Sequence, residues 1–309
     1  MPPQSRRRIR TSRNEGRRRR HGAKSIHFES LDFQVEKEME FGIRSDRGRV
    51  RENNEDSFRL APELDLVVLS DGMGGQASGE VASRLATETV VRHCREAHEN
   101  PSLPLVGQRI DGVSQVSNRL ASAIRLANQV VYAAAQKSPA QQGMGATIVA
   151  VQFDGERMSL AHVGDSRAYR LRGGEFDQLT QDHSFVAEQV RKGAMTPAEA
   201  ERSKMQSVLL RALGPDPEVE VDVTEELVMD GDTYLLCSDG LTRELSDKQI
   251  AAVLDETEDE QETAGRLIDL ANQAGGGDNV TAIVVRSSLK PVGAIARIGR
   301  WFRGSGNGS

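Results

Sequence analysis

At 309 residues and 33.8 kDa the chain can bury a sizeable core as one large domain or two small ones, which excludes a small scaffold dependent on staples. Its 37% hydrophobic content, mean hydropathy of -0.50 and lack of any apolar run near roughly eighteen residues exclude a membrane-spanning chain. Charge is divided: residues 1–24 carry ten Lys/Arg against Glu15 alone, and residues 289–309 carry Lys290, Arg297, Arg300 and Arg303 with no acid. The body between them holds 45 acids against 26 bases, a poor match to nucleic acid and a suitable home for carboxylates that hold cations.

Residues 1–32 have few aliphatic side chains and read as a disordered Arg-rich basic tail, with the folded domain over 33–288 and a basic tail over 289–309. The first predicted strand is 65–70 (DLVVLS). A helix over about 78–98 follows, then a longer one over 109–136, marked by Ile110, Val113, Leu120, Ile124, Ala127, Val131 and Ala134 on one stripe. Strands at 145–153, 157–163 and 167–171 succeed one another through Asp154-Gly155 and Gly164-Asp165, as in an antiparallel meander. A strand at 232–238 comes next. A helix is opened by the capping box of Ser246 and Gln249, another covers about 260–274 and stops at the glycines Gly275 to Gly277, and a last strand occupies 280–286. Strands that do not alternate regularly with helices make the class α+β, compatible with a sheet-on-sheet core and helices outside.

Cys94 and Cys237 are far apart and lack metal-ligand spacing, so neither a disulfide framework nor a structural zinc site is expected. The arginine-rich start has no apolar segment after it, so no export signal is complete, and the expected compartment is the cytoplasm.

A short apolar strand ending in an aspartate beside a glycine recurs along the chain. It stands at Leu69-Ser70-Asp71-Gly72, at Val163-Gly164-Asp165 and at Cys237-Ser238-Asp239-Gly240, with a related Gly277-Asp278 before the last strand. One Asp-Gly is an ordinary turn. Four carboxylates brought together by adjacent strand ends would repel one another unless a cation neutralised them, and an all-oxygen donor set favours Mg²⁺ or Mn²⁺. Gly72, without a Cβ, would let its carbonyl approach such an ion.

The string Ser45 to Asp56, which includes Arg51, Glu55 and Asp56, is followed after one strand by Asp71-Gly72-Met73-Gly74-Gly75. It resembles the opening motifs of the metal-dependent protein phosphatases, the protein phosphatase 2C family in its bacterial form. Later matches fall in the family's order: Gly143 to Thr147, Val163 to Arg167, Leu179 to Ser184, Arg211 to Gly214, Ser238 to Leu241 and Gly277 to Thr281, so that the resemblance covers about residues 40–286. It implies a β-sandwich of two mainly antiparallel sheets flanked by helices, in four layers α-β-β-α. It also implies that Asp71 bridges two Mn²⁺ or Mg²⁺ ions, with the Gly72 carbonyl on one and Asp239 and Asp278 on the other. Glu55 and Asp56 then hold metal-bound waters, Asp165 joins Asp239 at a third metal, and Arg51 grips the phosphate. The implied reaction is hydrolysis of phosphoserine and phosphothreonine in proteins by a water activated between the two metals.

Two departures from the family pattern stand out. Met73 occupies the place where eukaryotic relatives often carry a histidine, and Glu201 to Gln206 stands in the expected mobile flap, 193–214, where a His-Pro pair is usual. His162 and Cys237 read as core residues and His183 as a structural hydrogen-bonding residue near the flap.

The expected partners are phosphorylated proteins and an opposing bacterial Ser/Thr kinase, the expected state a monomer. Nucleic acid is expected only through the N-terminal arginines. Residues 291–303 drawn as a helix place Val292, Ile295, Ile298 and Phe302 opposite Arg297, Arg300 and Arg303, a pattern suited to peripheral membrane contact. Two other functions fit the chain: a phosphatase dedicated to one regulator such as an anti-anti-sigma factor, and a non-catalytic phosphoprotein-binding or scaffolding relative. The complete set of aspartates with Arg51 argues against the last.

Overall fold

The sequence LVVL at 66–69 is buried throughout, and because side chains alternate across a strand it feeds two cores at once. Leu66 and Val68 face one way and Val67 and Leu69 the other. The same division recurs at Ile148 and Ala150 against Val149 and Val151, and at Ala282 and Val284 against Ile283 and Val285. Such strands must be covered on both faces, which dictates a layered fold.

A computed structural model describes residues 35–74, 78–137 and 141–291. In chain order the elements are β1 (Val35–Asp46), β2 (Asp56–Ala61), β3 (Leu66–Met73), α1 (Ser78–Glu99), α2 (Gln115–Lys137), β4 (Gly145–Ala146), β5 (Ile148–Asp154), β6 (Arg157–Val163), β7 (Arg167–Arg172) and β8 (Glu175–Gln178). They continue as α3 (Phe185–Arg191), α4 (Pro197–Ala200), β9 (Asp222–Leu227), β10 (Thr233–Cys237), α5 (Asp239–Thr242), α6 (Asp247–Glu256), α7 (Glu260–Ala274) and β11 (Val280–Pro291). One sheet runs β1-β11-β10-β7-β8 and the other β2-β3-β5-β6-β9, with β4 beside β3, and every pairing is antiparallel. The inner faces pack on each other through Val67, Leu160, Tyr234 and Ile283. Helices α1 and α2 cover the second sheet, and α6 and α7 cover the first. This is the expected α-β-β-α sandwich.

Three expectations are corrected. The strand ending at Ser70 continues to Met73, so Asp71-Gly72 lies inside β3 rather than in a turn after it. Gly72 has a packing reason to lack a side chain: a Cβ there would lie 2.1 Å from the Gly79 carbonyl oxygen of α1. The long helix begins at Gln115, not 109, because Gly112 turns the chain at φ +81° and Asn118 holds Ile110 in a loop, accepting from its N–H at 2.8 Å and donating to its carbonyl at 3.1 Å. Strands β1, β2, β8 and β9 carry no predicted counterpart. Of these, β1 pairs with β11 from Val35↔Pro291 to Asp46↔Val280. Of the helix drawn over 291–303, Pro291 instead ends β11 and residues 292–303 lie outside the described residues, as does the tail over 1–32.

Candidate metal centre

The site lies where the two sheets exchange strands. Asp56 opens β2 and stands directly opposite Asp71 on β3. The chain then crosses from β6 in one sheet to β7 in the other through Gly164-Asp165-Ser166, which delivers Asp165. From the far sheet, Asp239 opens the single turn α5 after β10, and Asp278 precedes β11. A cavity of about 180 Å³ is lined by Arg51, Glu55, Asp71, Gly72, Asp165, Asp239 and Asp278 among others. Seven of the eight expected site residues therefore share one cavity. The eighth, Asp56, is buried behind it and repels Asp71 and Asp239.

Short-range hydrogen bonds fix these groups. Asp56 Oδ2 accepts from Ser238 Oγ at 2.8 Å and Thr281 Oγ1 at 2.6 Å, so the β10 and β11 side of one sheet holds a carboxylate carried by the other. The Asp71 N–H donates to Thr147 Oγ1 at 2.9 Å and the Thr147 N–H returns to the Asp71 carbonyl at 2.8 Å. Asn279 clamps the loop that carries Arg51 and Glu55: it accepts from the Glu55 N–H at 2.8 Å and donates to the carbonyls of Arg47 and Asn53 at 3.0 and 2.8 Å. Ser238, Thr281, Thr147 and Asn279 all belong to the quoted motifs, but sequence reasoning gave none of them this supporting part.

The electrostatics are those of an excess of carboxylates. Burial, with repulsion from Asp239 and Asp278, pushes Asp56 up to about 7. Burial and then Asp239 and Asp182 push Asp165 up to about 7. Asp71 is raised well above its usual range by burial and by Asp56, Asp239, Asp165 and Asp278. Asp239 is raised by burial, against the opposing pull of Arg243. Asp56 Oδ1 and Asp239 Oδ1 are buried without a hydrogen-bond partner. A buried anionic oxygen with no donor is costly, and a divalent cation is the partner that suits a carboxylate-only site. The residues present fit such ions.

Arg51 pairs with Asp278 Oδ2 at 2.8 Å. Arg243, which sequence reasoning missed, contacts the same oxygen at 3.2 Å and also pairs with Asp239 Oδ2. Cys237 and Arg243 stand at the Cys-x5-Arg spacing of phosphatases with a cysteine nucleophile. Burial of Cys237 pushes its thiol up to about 12, and the Arg243 guanidinium faces the carboxylates, so that chemistry is absent here.

A second polar cluster, His162, His183 and Asp222, has side-chain ligand atoms within 4.8 Å of one another. Its lone pairs are already committed. His183 Nδ1 accepts from the Gly164 N–H at 3.1 Å, which leaves the ring proton on Nε2, 3.3 Å from Asp222 Oδ2, and Arg211 also pairs with Asp222. His162 Nε2 bonds the Gln181 carbonyl at 3.0 Å, and the two rings stack with centroids 4.8 Å apart. Burial, then His162 and Arg211, push His183 down to about 4, so it stays neutral. The structural reading of both histidines holds.

A larger cavity, about 1060 Å³, opens beside the first and shares Asp165, Asp239 and Arg243 with it. Its far wall is α3 and α4, with Val186, Ala187, Val190, Pro197 and Ala200. Among the described residues no helix is long and apolar enough to cross a membrane.

Residues 47–272 match the family described as protein phosphatase 2C. The serine/threonine protein phosphatase PstP of Mycobacterium tuberculosis is 41% identical over 246 residues, which are 80% of this chain and 44% of that protein, so the chain spans under half of that relative's length. The serine/threonine phosphatase Stp of Listeria innocua is 35% identical over 261 residues, 84% of this chain and 100% of that protein. The catalytic domain of PstP, solved in complex with two manganese ions, superposes with a TM-score of 0.69 at 40% identity, covering 82% of this chain and 100% of that one. Sandwich, gathered carboxylates and sequence match agree, and the chain belongs to the protein phosphatase 2C family, in its bacterial serine/threonine phosphatase branch.

Proposed function

We propose that this chain hydrolyses phosphoserine and phosphothreonine in proteins, using two Mn²⁺ or Mg²⁺ ions held by Asp71, the Gly72 carbonyl, Asp239 and Asp278. The observation that carries the proposal is the convergence, from five separate segments, of Asp56, Asp71, Asp165, Asp239 and Asp278 around two buried oxygens that lack any donor. Two manganese ions in the PstP catalytic domain support the choice of ion. When bound, such ions supply Lewis acidity at the phosphoryl group and acidify a water between them.

The chain's own residues orient the reaction. Asp71 is held rigidly by Thr147, so it presents its carboxylate at a fixed place between the sheets. Glu55 on the cavity wall and Asp56 behind it would accept hydrogen bonds from metal-bound water, and Asp165 beside Asp239 would help to hold a third ion. Arg51 is half exposed on a loop fixed by Asn279, and it presents two parallel N–H donors to the phosphoryl oxygens as their charge grows. Met73 lines the smaller cavity and donates no proton to the departing Ser or Thr oxygen.

The reading extends to an opposing Ser/Thr kinase, a monomeric state and a cytoplasmic site of action. Purified protein is offered a phosphothreonine peptide with Mn²⁺, with Mg²⁺ and with EDTA, beside the Asp71→Asn variant. Turnover that needs the metal and disappears in the variant is the expected result; turnover in EDTA would sink the metal-dependent reading.

A further inference from the structure

Two arginines meet at one carboxylate oxygen. Arg51 NH2 lies 2.8 Å from Asp278 Oδ2 and Arg243 NH1 lies 3.2 Å from it, while Arg243 NH2 reaches back to Asp239 Oδ2. The two side chains come from segments far apart in the chain: Arg51 lies on the loop between β1 and β2, and Arg243 caps α5 after β10. The backbone of Arg243 is anchored on both sides. Its N–H donates to the Asp239 carbonyl at 2.9 Å, and the neighbouring Glu244 Oε1 accepts from the Gly277 N–H at 2.9 Å. The guanidinium is about one-third exposed and lines both cavities.

Charge decides where it goes. Glu55, Asp71, Asp165, Asp239 and Asp278 line the smaller cavity with Arg51 and Arg243, an excess of carboxylates over guanidiniums that divalent cations would offset. Cations on Asp239 and Asp278 weaken the hold of these carboxylates on the Arg243 guanidinium, because like charges a few ångströms apart repel. What then remains within the same short radius is the phosphoryl group that Arg51 holds, an anion whose oxygens match the planar fork of an arginine. The other cations on the larger cavity are spoken for or more remote: Arg167 is held by Asp182, and Arg191 by Glu188.

We propose that Arg243 is a second phosphate-binding residue, which occupies Asp239 and Asp278 in the cation-free protein and turns to the substrate phosphoryl oxygens when cations take those carboxylates. It rests on the metal-dependent phosphatase reading above. The two arginines then grip the phosphate from two separate segments, the loop after β1 and the end of α5. Loss of one charge-assisted bidentate contact weakens phosphate binding by about tenfold or more.

The test uses the full chain with Arg243→Gln and Arg243→Lys. Calorimetry measures Mn²⁺ binding to cation-free protein and inorganic phosphate binding to the Mn²⁺-loaded protein, and kinetics on a phosphothreonine peptide separate KM from kcat. In Arg243→Gln, phosphate affinity should fall about tenfold and KM rise with it, while Mn²⁺ binds as tightly as in the unaltered chain or more tightly, its competitor having gone. Arg243→Lys, which keeps the charge without the fork, should recover part of the phosphate affinity and also reports if the Gln variant fails to fold. Unchanged phosphate affinity overturns the proposal. A rise in KM for the peptide with phosphate binding intact overturns it in favour of contact with the substrate's flanking residues. Parallel loss of Mn²⁺ and phosphate overturns it in favour of a scaffolding part. An unaltered chain that binds no phosphate with Mn²⁺ and turns over no peptide takes down the phosphatase reading itself, and is distinguished by needing no variant.

Discussion

The two buried polar clusters of this protein lie on the same sandwich and differ in one respect: one closes its own hydrogen bonds and the other does not. His162, His183, Asp222 and Arg211 pair donor with acceptor, and burial leaves both histidines neutral. Asp56, Asp71, Asp165 and Asp239 repel one another and leave two oxygens without a donor. A satisfied cluster stabilises the fold, and an unsatisfied one stores a cost that a ligand can remove. Proximity of ligand-type side chains is thus a weaker sign of a cation site than unmet charge.

The largest expected effect comes from Asp71→Asn. It should lower metal-dependent turnover by about 10²–10³-fold or more while raising the melting temperature of the cation-free protein, since burial and repulsion from four aspartates work against the Asp71 carboxylate there. A cation-free variant that melts lower than the unaltered chain would break the contrast. Mn²⁺ comes next. Asp56 and Asp165 have folded pKa values raised from 3.8 to about 7, so the folded state holds more protons than the unfolded one across that window. Their contribution is full below about 3.8 and is lost as pH rises through about 7. Cation-free protein should therefore be more stable near pH 5 than near pH 8, and saturating Mn²⁺ should flatten or reverse that slope in a melting series.

His183→Ala should cost about 1–3 kcal/mol in denaturant unfolding, because the Gly164 N–H and Asp222 lose a buried partner. Its Mn²⁺ affinity should match that of the unaltered chain. A lost binding step would move a cation to the histidines and erase the distinction. The smallest effect is expected from removing residues 1–30, which should leave hydrolysis of a small aryl phosphate unchanged. A large loss would place the basic tail in the reaction.

Much of this molecule is legible in the sequence where the information is local. Apolar runs located β3, β5, β10 and β11, because burial on both faces demands continuous hydrophobicity, while β6 and β7 were bounded by Asp154-Gly155 and Gly164-Asp165. The Asp-Gly repeats at strand ends picked out Asp71, Asp165, Asp239 and Asp278, and the structure puts all four on one cavity. Strand β1 was missed because its charged sequence VEKEMEFGIRSD has no apolar run, and it becomes a strand by pairing with β11 far along the chain. Residues 109–114 look helical by spacing, yet Asn118 and Gly112 hold them as a loop.

The sequence by itself determined the fold class and the chemical type of the site, since periodicity and residue type are properties of neighbours along the chain. Only the tertiary structure decided that Asp71-Gly72 sits inside a strand, that the histidine cluster is already satisfied, and that Arg51 and Arg243 share one oxygen of Asp278. Those facts depend on the register between two sheets, where displacement by one residue turns every side chain to the other face.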